Sequence, residues 1–291
     1  MSNAPPSIPH PAPAAAGLRW PPLLRASVLL HGVALATPLL LPAAWPWALG
    51  ALLLNHGVIS AAGLLPRCRL LGPNITRLPG AAARRGEIAL TFDDGPDPVL
   101  TPTVLDLLDL HHHRATFFVI AQQAAAHPHL VREIVARGHS VQNHSYLHRH
   151  NFSLLGPQAV ATELTRAQTV LTALSGQTPQ FFRAPAGLRN VFLQSALVQQ
   201  GLQLTSWTRR GFDTRQRDPA RVLARLTDGL AGGDILLLHD RHGAFTRRGR
   251  PLLLQVLPAL LAALQRAGLH SVTLPQAFAP LPATTPAGDR P

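Results

Sequence analysis

The 291-residue sequence contains no lysine and only one cysteine, Cys68. A single cysteine excludes an intramolecular disulfide and a zinc site built from several cysteines. It does not identify the compartment, because many exported enzymes of bacterial type also lack disulfides. Aromatic residues make up 5% of the chain, and no nucleic-acid-binding motif accompanies its basic charge. We therefore expect no nucleic-acid partner.

Acidic residues are scarce and unevenly distributed. The chain has 14 of them, against 26 basic residues that are all arginine, and the formal net charge is +12. No acidic residue occurs before Glu87, whereas seven arginines do: Arg19, Arg25, Arg67, Arg69, Arg77, Arg84 and Arg85. A coding preference for arginine explains this composition. The alternative is attraction to anionic lipid or to an acidic substrate.

Residues 26–66 carry no charged side chain. This stretch is twice the roughly 20 residues that one membrane span needs. It predicts two spans, near Ala26–Pro42 and Trp47–Leu65, joined by a short turn that contains Trp45. Three polar residues inside the stretch weigh against this prediction: His31, Asn55 and His56. The alternative is an apolar helical pair packed on a soluble domain.

The side of the membrane on which the rest of the chain lies stays open. Arginines flank both ends of the apolar stretch, which places both ends in the cytoplasm by the positive-inside rule. A single span followed by an interfacial helix would instead place the remaining chain outside. Membrane lipid is the expected partner of this segment in either case.

After Glu87, short apolar runs alternate with longer helical patterns. Seven strands are predicted: Ile88–Phe92, Ala115–Ile120, Ser140–Gln142, Phe181–Arg183, Leu204–Thr208, Ile235–His239 and Ser271–Leu274. The six helical patterns between them favour a parallel α/β arrangement, most simply a distorted (β/α) barrel. The predicted organisation is a disordered tail (1–18), an apolar membrane-associated helical segment (19–70), a linker (71–85), the barrel domain (86–278) and a second disordered tail (279–291).

The first predicted strand ends in two adjacent carboxylates, Asp93 and Asp94, before the turn Gly95-Pro96. Side chains alternate along a strand, so both carboxylates can face one site only if the chain bends between them. Two neighbouring acids that are aimed differently can divide two tasks, one binding a cation and the other transferring a proton.

Polar residues also follow several other predicted strands, where active-site groups of βα barrels collect. His144 and His148 follow the third strand, and their spacing of four places both rings on one face of a helical turn. Together with Asp94 they match the two-histidine, one-carboxylate set of catalytic zinc sites. Arg183 ends the fourth strand, Asp213 lies beyond the fifth, and His239 and Asp240 close the sixth.

These residues form ordered motifs: Thr91-Phe92-Asp93-Asp94-Gly95, His144-Ser145-x-x-His148, Arg183-x-Pro185 and Leu238-His239-Asp240, with a looser one at Arg210-Gly211-Phe212-Asp213. Their order and spacing resemble the polysaccharide deacetylase family, also called NodB-homology or carbohydrate esterase family 4, over roughly residues 86–275. The resemblance implies a distorted barrel that removes acetyl groups from amino-sugar polymers with a divalent metal, usually zinc.

The resemblance also implies roles for individual positions. Asp94, His144 and His148 correspond to the metal ligands, and Asp93 to the general base. Arg183 corresponds to the arginine that orients this base, His239 to the general acid, and Asp213 to the carboxylate that tunes the acid. Four residues correspond to the substrate-binding region: Pro185, Ala186, Trp207 and Leu238. Ala186 offers a backbone N–H to the oxyanion, and Leu238 lines an acetyl pocket with Trp207.

Position 186 departs from the family pattern, which usually has an aromatic residue, most often tyrosine, at this point. Without that stacking surface, a short or lipid-linked N-acetylated saccharide is a more suitable substrate than a long polysaccharide. Two alternatives remain. One is a deformylase or amidase that uses the same site on a non-polymeric substrate, and the other is a catalytically silent carbohydrate-binding protein. The sequence leaves the oligomeric state open.

Overall fold

The computed structural model describes residues 20–280. The predicted tail 1–18 lies outside these residues, as does the tail 279–291 apart from its first two positions. The described chain begins with two helices, α1 (Pro22–Leu40) and α2 (Trp45–Leu64), joined by a 3-10 turn over Pro42–Ala44. Both helices are long and apolar enough to cross a membrane, and most of their side chains are exposed.

The polar residues of these two helices face each other. Asn55 Nδ2 donates a hydrogen bond to Ser27 Oγ at 2.8 Å, and His31 Nε2 lies 3.3 Å from His56 Nε2. His31 Nδ1 also bonds the Ser27 carbonyl at 2.7 Å. An unsatisfied polar group is costly in apolar surroundings, and these contacts satisfy such groups between the helices. The polar residues are therefore compatible with a pair of apolar helices.

A curled sheet of eight strands follows, and all of its pairings are parallel. The strands are β1 (Glu87–Asp93), β2 (Ala115–Val119), β3 (Ser140–Asn143), β4 (Phe181–Phe182), β5 (Gln203–Leu204), β6 (Arg209–Arg210), β7 (Ile235–His239) and β8 (His270–Ser271). Their order is β5-β4-β3-β2-β1-β7-β6, and β8 pairs with the start of β1. The predicted distorted (β/α) barrel is confirmed.

Helices connect and cover the strands. They are α3 (Gly80–Arg84), α4 (Leu100–Leu110), α5 (Ala121–Ala126), α6 (Pro128–Ala136), α7 (Pro157–Ser175), α8 (Leu193–Gln199), α9 (Pro219–Thr227), α10 (Leu253–Arg266) and α11 (Leu274–Phe278). Proline occupies the first turn of α6, α7 and α9, where its missing N–H is not needed.

The predicted strand Leu204–Thr208 is wrong apart from its first residue, which ends β5 on one edge of the sheet. The chain then crosses to the other edge, where β6 begins at Arg209. Residues 75–78 lie between these edges. Ile75 N–H donates to the Leu204 carbonyl at 2.9 Å, and Ser206 N–H donates to the Ile75 carbonyl at 2.7 Å. Exposed strand edges leave backbone groups unpaired. Part of the segment 71–85, predicted as a linker, supplies partners at this opening.

Alternation along the strands separates an inner layer from an outer layer. On β1, Leu90 and Phe92 pack in the large core beneath the helices, whereas Ala89 belongs to the core inside the barrel. On β7, Leu237 belongs to the inner core and Leu238 to the outer one. Because the period is two residues, the inward-facing series on each strand continues to its carboxyl end.

Candidate active site

The end of β1 carries the two adjacent carboxylates. β1 ends at Asp93, and Asp94 adopts a left-handed conformation with φ of 76°. This is the bend that the sequence required, and it lets both carboxylates line one cavity of about 130 Å³. The next residue must be glycine, because a Cβ at Gly95 would collide with the carboxylate of Asp240.

The loop after β3 carries His144 and His148. The prediction placed them on a helical turn, but they lie on an irregular loop in which Ser145 and His148 have φ of 66° and 52°. Buried Glu163 of α7 holds this loop, since its Oε2 accepts hydrogen bonds from two backbone N–H groups, at 3.0 and 2.9 Å. Ser145 Oγ accepts the His148 N–H at 3.0 Å. These side-chain bonds replace helical ones.

Asp94, His144 and His148 lie together, with one potential ligand atom from each within 4.8 Å of the others. Asp94 Oδ1 is 3.3 Å from His144 Nε2 and 3.2 Å from His148 Nε2. Asp94 Oδ1 is buried and has no partner of good hydrogen-bond geometry among residues 20–280. His144 Nδ1 is engaged with the Arg183 carbonyl at 2.8 Å, so Nε2 is the free ring atom. This donor set fits a divalent cation with open positions.

The protonation states of two of these groups suit a cation. Burial alone would raise the pKa of Asp94, but the neighbouring imidazoles of His144 and His242 hold it well below its usual range. Burial, and then the charge of His144, lower the pKa of His148 to about 4. At neutral pH Asp94 is therefore anionic and His148 neutral, which are the forms that bind metals.

Asp93 is held by the fully buried side chain of Arg183. Arg183 Nη1 donates to Asp93 Oδ1 at 2.6 Å and to Thr91 Oγ1 at 2.8 Å. Nη2 donates to the Ser206 carbonyl at 2.9 Å, and the guanidinium lies 4.0 Å from the centre of the Phe118 ring. One carboxylate oxygen of Asp93 is thereby fixed, while the residue still lines the cavity.

His239 lines the same cavity and is bound to Asp213 in two ways. Its Nδ1 lies 2.9 Å from Asp213 Oδ1, and its backbone N–H donates to Oδ2 at 2.8 Å. Burial lowers the pKa of His239, but the Asp213 carboxylate outweighs this effect and raises it to about 9. Asp213 therefore favours a proton on Nδ1 and stabilises the imidazolium form.

Of the four residues expected around the substrate, two line the catalytic cavity and two do not. Trp207 and Ala186 line the cavity, whereas Pro185 is buried but does not line it. Leu238 requires a correction, because it packs in the outer core and Leu237 lines the cavity instead. The physical reason is alternation. His239 points inward, so the inward leucine is two residues earlier, not one.

Several residues of the site have no role in the sequence analysis. Arg210 and Thr214 line the cavity, and His242 Nδ1 lies 3.3 Å from Asp94 Oδ2. Arg210 begins the loose motif that ends at Asp213, and Thr214 directly follows it, so this motif is the signal that would have pointed to them. Asp240 supports the first loop: it is buried and accepts a hydrogen bond from Thr101 Oγ1 at 2.6 Å.

Left-handed backbone is concentrated around this cavity. Within residues 20–280, seven residues other than glycine have positive φ, and one of them, His112, is remote. Such conformations cost of order 1–3 kcal/mol each and persist where the surroundings impose them, often at functional sites. The other six lie on the loops that carry the site: Asp94, Ser145, His148, Ala186, Phe212 and His242.

Comparison with known proteins places this geometry in context. The family model for polysaccharide deacetylases matches residues 80–205. A chitooligosaccharide deacetylase from Bradyrhizobium sp. (strain ANU 289) is 35% identical over 196 residues, covering 65% of this chain and 89% of the relative. A peptidoglycan-N-acetylglucosamine deacetylase from Bacillus cereus is 29% identical over 197 residues, covering 67% and 69%. A solved family 4 carbohydrate esterase from Streptomyces lividans, in complex with acetate, has a TM-score of 0.58 and 33% identity, covering 64% and 91%.

Proposed function

Because this chain belongs to the polysaccharide deacetylase family, as its motifs predicted, we propose that it is a metal-dependent hydrolase that removes N-acetyl groups from amino sugars. The proposed substrate is a cell-envelope glycan or a lipid-linked saccharide. The observation that carries the proposal is the convergence of Asp94, His144 and His148 beside Asp93, in a cavity that His239 also lines.

Asp94, His144 and His148 would hold the divalent cation. We propose zinc, since two histidines, one carboxylate and open positions form a typical donor set of catalytic zinc. When bound, such an ion lowers the pKa of water to about 7 and stabilises negative charge that develops on the carbonyl oxygen. The low pKa of Asp94 and of His148 supports this assignment.

The remaining residues transfer the protons. Asp93 accepts a proton from the attacking water, and Arg183 keeps its carboxylate oriented. Cleavage of the C–N bond requires a proton on the departing amine, and His239 donates it from Nε2. Asp213 binds Nδ1 throughout and stabilises the positive ring before transfer. The products are acetate and the free amino sugar.

The size of the catalytic cavity suits a small acyl group and not a whole sugar. Its volume of about 130 Å³ is below the roughly 300–1,000 Å³ of sites that enclose a whole ligand. The sugar would therefore lie outside, where Ala186 offers no aromatic stacking surface. This arrangement favours a short or lipid-linked saccharide over a long polymer. A formyl group also fits, so a deformylase stays the second candidate.

The end of α2 packs directly on the wall of this cavity. Arg189 N–H donates to the Gly63 carbonyl at 3.1 Å, and Ser206 Oγ donates to the Pro66 carbonyl at 2.5 Å. A Cβ at Gly187, which lines the cavity, would lie 2.8 Å from Pro66 Cβ. With α1 and α2 in a membrane, the site would lie near the bilayer surface, and this supports a membrane-associated substrate.

Acetate release by the full-length protein in lipid nanodiscs tests the proposal. The panel contains chitooligosaccharides, peptidoglycan fragments, a lipid-linked N-acetyl sugar and an N-formyl sugar. His144→Ala should lower both the bound metal and the acetate released by about 100-fold or more, since it removes a ligand. His129→Ala, at an exposed histidine, is the matched control and should change neither.

The outcomes separate the candidate functions. Acetate release that depends on His144 supports the deacetylase, and release of formate alone favours the deformylase. Metal retained in His144→Ala would contradict the assigned ligands. A wild-type protein that binds the saccharides and releases neither acid would be a silent carbohydrate-binding protein.

A further inference from the structure

A second and larger cavity lies on the chain segment that follows Asp213. Its volume is about 680 Å³, within the roughly 300–1,000 Å³ typical of small-molecule sites. Two chain segments line it, residues 215–221 and residues 246–255. We call it the arginine cavity, because six arginines line it: Arg215, Arg217, Arg221, Arg247, Arg248 and Arg250.

Both segments of the arginine cavity follow, along the chain, loops that carry residues of the catalytic site. Thr214 lines the catalytic cavity and Arg215 lines the arginine cavity, and consecutive Cα atoms are about 3.8 Å apart. The second segment follows the loop that carries His242. In that loop, Ala244 N–H donates to the carbonyl of Asp213, two residues before Arg215, at 2.8 Å. The linings of the two cavities therefore meet at Thr214 and Arg215.

The charge of the arginine cavity is not neutralised by the described protein. Asp218 is the one acidic residue in its lining, and it accepts the Ala220 N–H at 3.0 Å as the cap of α9. Asp218 also lies 3.5 Å from Arg221. Within residues 20–280 the other five arginines make no ion pair. Neighbouring like charges repel, and a bound anion would relieve this repulsion.

The chemistry of the guanidinium group favours a phosphate. Its planar array of donors binds phosphate oxygens in pairs, and several such groups can share one phosphate or diphosphate. A saccharide linked to a lipid through a phosphate ester carries such an anion next to its sugar, whereas a chitooligosaccharide is neutral. The packing of α2 on the catalytic cavity independently supports a substrate at the membrane surface.

We propose that the arginine cavity binds the phosphate ester of the saccharide whose acyl group enters the catalytic cavity. This inference rests on the proposed function for the identity of the saccharide. It names the substrate class as phosphorylated N-acetyl sugars. The phosphate contact then supplies binding that the missing aromatic surface at Ala186 does not.

Binding measurements test this inference without relying on catalysis. Full-length protein in phosphatidylcholine nanodiscs is titrated calorimetrically with inorganic pyrophosphate, N-acetylglucosamine 1-phosphate and N-acetylglucosamine. The test variant is Arg215→Gln/Arg250→Gln, which removes one arginine from each segment. The control variant is Arg132→Gln/Arg266→Gln, which removes the same charge at two exposed arginines outside the cavity.

We expect the wild type and the control to bind the sugar phosphate at least about tenfold more tightly than the neutral sugar, since charged hydrogen bonds are the strong ones. In the test variant this preference disappears and pyrophosphate binds at least about tenfold more weakly. Equal pyrophosphate binding by all three proteins would overturn the inference. The inference would also be overturned if the test variant differed from the wild type in binding only when phosphatidylglycerol is added to the nanodiscs, because the cavity would then bind lipid headgroups.

These results are distinguishable from a failure of the proposed function. A wild type that releases no acetate but shows the arginine-dependent preference would refute the deacetylase and retain the phosphate site. A wild type that releases acetate equally well from neutral and phosphorylated sugars, with the same rates in the test variant, would retain the deacetylase and refute the phosphate site.

Discussion

Replacing Asp213 by asparagine should remove most of the elevation of the His239 pKa. The carboxylate is 2.9 Å from Nδ1 and is buried, and it raises the pKa of His239 from 6.5 to about 9 against the opposing effect of burial. One pKa unit corresponds to 1.36 kcal/mol, so the net elevation of the pKa is worth about 3 kcal/mol. In Asp213→Asn burial is opposed only by the charges of Asp93 and Asp94, and the pKa should fall to about 6.5 or below.

Histidine NMR on the chelator-treated protein measures this directly, and His239→Gln identifies the resonance. At pH 8 the ring should be about 90% protonated in the wild type and about 3% or less in Asp213→Asn. A variant pKa that stays near 9, or a wild-type pKa near 6.5, would refute the reasoning. Asp228→Asn, at an exposed residue that ends α9, is the control and should leave the titration unchanged.

The same shift predicts a pH dependence of stability with a definite sign. The folded-state pKa of His239 lies above the unfolded value, so its contribution is fully present below pH 6.5. It is lost as pH rises through about 9. The difference in melting temperature between the metal-free wild type and Asp213→Asn should therefore be largest near pH 6 and shrink towards pH 10. A constant difference would contradict the linkage.

Two further substitutions test the supports of the site. Arg183→Met leaves the Asp93 carboxylate buried without its partner and should cost about 3–5 kcal/mol in denaturant unfolding; a cost below about 1 kcal/mol would show that Asp93 does not depend on this contact. Gly187→Ala places a Cβ 2.6 Å from Trp207 and 2.8 Å from Pro66, and should cost about 1–3 kcal/mol more than Gly176→Ala, which has a similar φ but open space. Equal melting temperatures for the two alanine variants would exclude a clash at the cavity wall.

Local sequence patterns were sufficient for the fold class and the apolar helices. The alternation of apolar runs with helical patterns predicted the barrel, and the uncharged stretch 26–66 predicted the α1–α2 pair. These features depend on periodicity and on the length of apolar runs, which are local properties. The family was likewise confirmed, because it depends on the order and spacing of motifs along the chain.

Details that depend on orientation were less predictable. The prediction that Leu238 lines the cavity was wrong, because a strand pattern does not state which of its two faces is inward when both are apolar. A spacing of four at His144 and His148 is compatible with a helix or a loop. The loop forms because Glu163, far along the chain, accepts the N–H groups that a helix would use.

The sequence by itself determined which residues can carry the chemistry, and it determined the strand ends at which they lie. Only the tertiary structure decided that Asp94 faces the two histidines, that the end of α2 packs on the cavity wall, and that two loops form the arginine cavity. The physical reason is distance along the chain. The Pro66–Ser206 contact joins residues 140 positions apart, and such contacts arise from the packing of whole elements, not from local propensity.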